Sequence, residues 1–288
     1  MNLKEIKHRI LSVKNTQKIT SAMKLVSSAK LRRAQAAIDA MRPYQKKLDE
    51  IMRVLIDGRI VAANEYAVQR PLQNVVIIAV ASDATLCGSF NANVARLMES
   101  AVAEYRTTGA NVKVYPVGRK MSDAVRKMGV DSDDALMKYS EKPVYKGVDE
   151  VAHSLMECFA RGSVDKVELV YTHFVSPVNF KPIRETFLPV KDPVKDVCND
   201  SLPVDCIVEP GIDTVVSELL PKAVALRLFT AILDSNAAEH AARMMAMQIA
   251  TDNADKLIFE LTLQYNKGRQ QAITNEILDI VSGGCSQL

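Results

Sequence analysis

The stretch KNTQKITSAMKLVSSAKLRRAQ, residues 14–35, decides how the chain folds. It holds neither Gly nor Pro, so nothing in it breaks a helix. Before it, Ile6, Ile10 and Val13 set a three-and-four spacing that resumes at Leu31, Ala34, Ile38, Met41, Leu48 and Leu55. Between those two runs the same positions hold Gln17, Thr20, Lys24 and Ser27. The apolar Ile19, Met23 and Val26 sit on another side of the helix.

Moving outward, the helix breakers divide the chain. Residues 1–57 contain no Gly and one proline, Pro43, which is expected to kink the helix or end it early. Between Gly211 and Gly268 there is again no Gly, and Pro221 alone. Nine of the 11 prolines fall from Pro71 to Pro210, so the chain reads as long helix, compact middle, long helix. The segments are placed at 1–57, 70–195 and 209–285. In the last, the rhythm runs through Leu233, Ala237, Ala241, Met244, Gln248, Thr251, Ala254, Ile258, Leu261, Tyr265, Gly268 and Ala272. At ~1.5 Å per residue such helices reach about 80–110 Å and must support each other. An insert that returns the chain to its start makes the pair antiparallel, and the spacing favours left-handed supercoiling.

The middle alternates. VVIIAVA (75–81), VKVYPVG (112–118), KVELVYTHFVS (166–176) and IRETFLPV (183–190) read as strands. Residues 90–106, 119–129 and 148–162 read as helices. The fold class is therefore α/β plus long helices: an antiparallel left-handed coiled coil of the terminal helices, with an inserted three-layer, Rossmann-like α/β domain. Residues 191–210 read as a linker.

Chemistry is hard to find in this insert. There is no G-x-x-x-x-G-K-[ST], and no G-x-G-x-x-G follows a strand. The turn SDATLCGSFN (82–91) offers Asp83, Cys87 and Gly88 at a helix start, which shape and cap a turn more often than they bind an anion. None of His8, His153, His173 or His240 shows a relay to Cys87. Asp131, Asp133 and Asp134 lack calcium-loop spacing and read as a solvated charge run. No metal, cofactor or catalytic residue is expected.

Composition is ordinary for a folded protein, 48% hydrophobic and 25% charged, with 12 Met and no Trp. No apolar run approaches the ~18 residues of a membrane span. The N-terminus has neither a signal-peptide core nor a transit-peptide composition, and a cytoplasmic protein is expected. The five cysteines are widely spaced without a C-x-x-C pair, as reduced thiols would be. Residues 1–33 carry nine Lys or Arg against the single Glu5, a local charge of +8 in a chain whose total is +3. No stacking aromatic lies among them, which favours an acidic protein partner over nucleic acid. The stretch NAAEHAARMMAMQIATDNA (236–254) is Ala-rich nearly all round. It implies a helix pair enclosed by another protein as well as by its own domain.

Two long stretches carry a resemblance. IKHRILSVKNTQKITSAMKLVSSAKLRRAQ (6–35) resembles the N-terminal signature of the gamma subunit of F-type ATP synthases. EHAARMMAMQIATDNADKLIFELTLQYNKGRQQAITNEILDIVSGG (239–284) resembles the C-terminal one. SDATLCGSFNANV is similar, less closely, to the family's middle turn. The resemblance implies a rotor shaft: a coiled coil held inside a hexamer of alternating alpha and beta subunits, with the α/β domain at its foot beside epsilon and the c-ring. The complex makes ATP from proton flow, while this subunit catalyses nothing. It would lie peripherally at the cytoplasmic face of a bacterial membrane, touching the membrane only through the complex.

It also implies that Met23, with Arg269 and Gln270, meets the acidic lever of beta, that Thr274 and Glu276 belong to the same C-terminal contact stretch, and that the residues up to Leu288 enter an apolar sleeve. Two departures stand out. Ala84 and Thr85 replace the family's Arg-Gly, removing an arginine that pairs with the lever, and Gly268 replaces an alanine. No cysteine-bearing insert of the redox-regulated type is present, so no thiol switch is expected. Two other readings are carried alongside: a nucleic-acid-binding coiled-coil arm, and an α/β enzyme centred on Asp83 to Asn91.

Overall fold

The computed structural model describes residues 3–55, 65–66, 68–190, 209 and 211–285. Helix α1 runs Leu3–Leu55. It is followed by β1 (Asn74–Val80), α2 (Phe90–Thr107), β2 (Asn111–Val117) and α3 (Arg119–Met128). Then come β3 (Asp131–Ser132), a 3-10 turn (Asp134–Tyr139), α4 (Tyr145–Ala160), β4 (Lys166–Phe174) and β5 (Phe180–Leu188). Helix α5 closes the chain at Ile212–Cys285. The linker expected over 191–210 lies outside the described residues, Glu209 excepted. By contact density the chain divides into two units: residues 1–28 with 243–288, and residues 29–242.

In the second unit the strands form one sheet in the order β3-β2-β1-β4-β5. Only the β4–β5 pair is antiparallel. Central β1 is buried along almost its whole length, which is why its sequence is continuously apolar instead of alternating. Val75, Ile77 and Ala79 pack with Val94, Met98, Val102 and Tyr105 of α2 and with Met121 and Val125 of α3. The opposite set, Val76, Ile78 and Val80, is equally buried. On that side Arg227 and Asp234 of α5 bond Glu185 of β5 and His173 of β4, so α5 forms the third layer.

Burial is complete from Ala231 to Ala242 of α5. Asn236 donates to the Ser140 carbonyl at 2.8 Å, and Phe229 meets Tyr145 edge-on with ring centroids 5.5 Å apart. The Ala-rich character of this stretch thus answers to the chain's own sheet and turns, and no outside protein is needed to explain residues 236–242.

Other expectations needed correcting. Pro43 neither ends α1 nor appears at its boundary. The proline costs one ladder bond, and burial of Ile38, Leu48 and Met52 around it holds the helix together. Helix α4 starts at Tyr145, ahead of Gly147, because that glycine is where Tyr139 packs; a Cβ there would lie 1.8 Å from the tyrosine hydroxyl. Asp133 and Asp134 are not merely solvated. Asp133 caps the 3-10 turn through Ala135 N and pairs with Lys113 at 3.1 Å, while Asp134 pairs with Arg126 at 3.1 Å.

In the first unit α1 and α5 run antiparallel. Leu3 lies against Gly268, Gln17 bonds Asp255 at 2.5 Å, and the Thr20 and Thr251 hydroxyls stand 2.8 Å apart. Partner numbers fall on α5 as they rise on α1. Replacing Gly268 by Ala should raise stability by about 0.5 kcal/mol, because glycine in a helix interior costs roughly 0.5–1 kcal/mol. The new Cβ would sit 3.1 Å from the Leu3 Cδ2, a side-chain end in the first turn that can step aside. A lowered thermal midpoint in Gly268→Ala would mean that Leu3 is fixed in place.

Candidate functional site

The stripe on α1 does not change face. Thr20 is 9% and Ser27 3% exposed, whereas Ile19 is 60% and Val26 58% exposed. The seam therefore continues through Gln17, Thr20, Lys24 and Ser27, and the apolar residues point outward. On α5, Met247, Ala254 and Leu261 are buried at seven-residue spacing, and Thr251, Ile258, Tyr265 and Gly268, partly buried, continue a four-and-three rhythm between and after them. Ile249, Phe259, Leu263, Ile273, Ile277 and Leu278 fall off that rhythm and are all exposed. Sequence reasoning passed over these six, although their departure from the heptad was visible.

Local chemistry explains why polar side chains can serve as a seam. The Ser27 hydroxyl donates to the Met23 carbonyl at 2.8 Å, and the Thr251 hydroxyl to the Met247 carbonyl at 2.8 Å. Each is satisfied within its own helix, so burial leaves no unpaired donor. Small residues at these positions let the helices approach without deep interlocking. The surface so made combines exposed Lys7, Arg9, Lys14 and Lys18 with Ile19, Leu25 and Val26. Such a surface is suited to holding an acidic and partly apolar partner.

The five expected contact residues lie on this unit in two places. Met23 is half-buried on α1; Arg269, Gln270, Thr274 and Glu276 are exposed on α5, with the Thr274 hydroxyl donating to the Gln270 carbonyl at 2.9 Å. They are not brought together. Met23 falls opposite Gln248, three residues before Thr251, so Arg269 lies roughly 30 Å farther along α5 at ~1.5 Å per residue. Residues 286–288 of the expected sleeve segment lie outside the described residues.

The turn after β1 is closed to chemistry. Cys87 is 2% exposed and sits among Ser82, the Ala84 carbonyl and Asn91, whose amide nitrogen is 3.2 Å from its sulfur. No base is within reach, so the thiol serves as a packing group. Asp83 accepts a hydrogen bond from Arg119 N at 2.9 Å and so satisfies an amide at the start of α3. The β1 end is covered further by Ser140, which donates to the Ala81 carbonyl at 2.8 Å. Among the described residues no cluster of His, Cys, Asp and Glu is arranged to hold a metal, and no helix is long and apolar enough to cross a membrane.

Comparison with known proteins agrees with this geometry. The sequence profile of the ATP synthase family matches residues 2–286. The ATP synthase gamma chain of Phocaeicola vulgatus is 48% identical over 285 residues, covering 98% of each chain. That of Bacteroides thetaiotaomicron is 45% identical over 293 residues, again covering 98% of each. The fold is similar to a chain in the OSCP/F1/c-ring structure of the Euglena gracilis mitochondrial ATP synthase, with a TM-score of 0.64 at 18% identity, covering 99% of this chain and 94% of that one. The chain belongs to the ATP synthase family, among its gamma chains.

Proposed function

We propose that the chain is the non-catalytic central shaft of a proton-translocating ATP synthase, with the first unit turning inside a hexamer of alpha and beta subunits. The second unit would form the foot, next to epsilon and the c-ring, and would be membrane-associated only through them. One observation carries this reading: a helix pair whose interior seam turns polar over Gln17, Thr20, Lys24 and Ser27 while Ile19, Val26, Ile249, Phe259 and Leu263 face outward. Rotation asks for that arrangement. A surface that meets several partners in turn benefits from shallow apolar and basic contacts, since deep anchors would stall each step.

Met23 and the Arg269–Glu276 stretch then act as two stations along the shaft, one facing the lever of beta and one higher in the hexamer. Ala84 and Thr85 leave the foot side of the lever contact without its arginine. A nucleic-acid reading has no observation in its favour, since no aromatic stands beside the exposed lysines of residues 1–33 to stack a base.

The test is co-expression with the same organism's alpha and beta subunits, followed by ATP hydrolysis. The expected result is one copy of the chain per purified hexamer and loss of most activity without it. Alpha and beta assembling and hydrolysing ATP equally well in its absence would overturn the proposal.

A further inference from the structure

Within the second unit, α5 is tied to the sheet by charged pairs that its apolar packing does not require. Asp234 Oδ2 lies 2.7 Å from His173 Nδ1 on β4, the Phe174 backbone amide bonds the same carboxylate, and the charge of Arg42 on α1 favours its ionised form. Seven residues earlier, Arg227 donates to Glu185 of β5 at 2.9 Å. That spacing puts Arg227 and Asp234 on one face of the helix. The acid belongs to the helix in one pair and to the sheet in the other. Asn236 adds a third point on the Ser140 carbonyl. The apolar residues, by contrast, are nearly indifferent to register. Six of the twelve residues from Ala231 to Ala242 are Ala or Ser. A slip of four residues would put Leu228 where Ile232 lies, and Ala237 and Ala238 where Ala241 and Ala242 lie. Cores tolerate exchanges that conserve volume this closely.

We propose that the His173–Asp234 and Glu185–Arg227 pairs are a register lock, which holds α5 at one axial setting on a sheet whose apolar face would accept more than one. The slip would carry Asp234 about 6 Å from His173. It would leave a carboxylate that is 6% exposed without its imidazole, and a buried acid stripped of its partner is strongly disfavoured. The Arg227–Glu185 pair is half-exposed and contributes little to stability. Its contribution is a second point of opposite polarity, which a shifted helix cannot match. Helix α5 is continuous from Ile212 to Cys285 and so passes from this sheet into the first unit. On the shaft reading above, these four are positioning residues for coupled rotation: a helix free to step by one turn on its sheet would absorb work instead of passing it on.

Register is read on the full chain as the distance between spin labels at Lys181→Cys on β5 and Lys222→Cys on α5, both exposed, with the five native cysteines replaced by alanine. This parent should give one distance. His173→Leu, Glu185→Leu, Arg227→Leu and Asp234→Leu, combined with Asn236→Ala, should still fold, since apolar groups can replace ion pairs without loss of stability, and should add a second distance offset by about 5–6 Å. Glu185→Arg alone should also split the distance, and adding Arg227→Glu should restore one, a rescue that packing by itself does not predict. In the complete synthase in lipid vesicles, the leucine variant should keep most ATP hydrolysis while ATP-driven proton pumping falls by at least about fivefold. One unshifted distance in the folded leucine variant, or in Glu185→Arg, overturns the lock. A split distance with unchanged pumping overturns its part in coupling. A parent complex that hydrolyses ATP without pumping would instead overturn the shaft reading, while the distances still decide the lock.

Discussion

Gly118→Ala is expected to cost more than about 3 kcal/mol and to remove most soluble protein. The residue has φ 90° and ψ 147°, a conformation open to glycine and strained for any side chain. Strain is the smaller part. A Cβ would lie 2.4 Å from the Ala81 carbonyl oxygen and 3.0 Å from its carbon. That oxygen cannot retreat, because it accepts from the Ser140 hydroxyl while Ala81 N donates to the Val117 carbonyl at 2.9 Å. Gly109→Ala separates the two effects. It also has positive φ, 79°, but nothing lies within 4 Å of the added carbon, so strain alone should cost about 1–2 kcal/mol. Urea unfolding of both variants measures the difference, and equal losses would refute the collision argument.

Arg184→Ala should destabilise the second unit by about 3 kcal/mol, toward the lower end of what breaking a buried charge network costs. Glu168, 3% exposed on β4, receives Arg184 Nε at 2.5 Å, Lys166 at 2.8 Å and the Tyr105 hydroxyl at 2.5 Å; Arg184 also reaches Glu104. Burial alone would raise the Glu168 pKa. The hydrogen bonds from Arg184, Lys166 and Tyr105 outweigh it and hold the carboxyl below its ordinary value. Burial, then the Glu168 bond, pushes the Tyr105 phenol up, so it stays a donor.

A depressed carboxylate pKa gives stability that is present above the unfolded value of about 4.3 and is lost as pH falls through the folded one. In the parent that loss begins below about pH 4. Without Arg184 the burial effect is less opposed, so acid should unfold the variant at higher pH. Urea midpoints across a pH series decide it: parallel curves for parent and variant would show that Glu168 is not held by Arg184.

Much of this architecture is written in the residues. VVIIAVA could only be a strand covered on both faces, and the missing glycines over residues 1–57 and 212–267 demanded long helices. The harder cases share one cause, a local pattern overruled by tertiary contact. Strand β3 is two polar residues that pair with β2 at Lys113 and Val114, a signal too short to read. Helix α4 was expected from residue 148, yet Gly147 lies inside it, because the reason for that glycine, the Tyr139 ring, comes from another segment. Gln17, Thr20, Lys24 and Ser27 looked like an interruption because apolarity was taken as the mark of a seam, and here spacing alone marks it. The contact residues differ in kind: no physical property of Arg269 or Gln270 separates them from other exposed helix positions, and only family resemblance points to them.

The apolar exterior of the helix pair also sets the fate of any copy made in excess. A chain with Ile19, Leu25, Val26, Phe259 and Leu263 turned to water presents an adhesive exterior that no rearrangement of its polar seam can hide. Copies with no partner over this surface are thus marked for chaperone capture, aggregation or proteolysis. On the proposed assembly, the cellular level of this subunit would follow the supply of the subunits that enclose it, with no dedicated degradation signal.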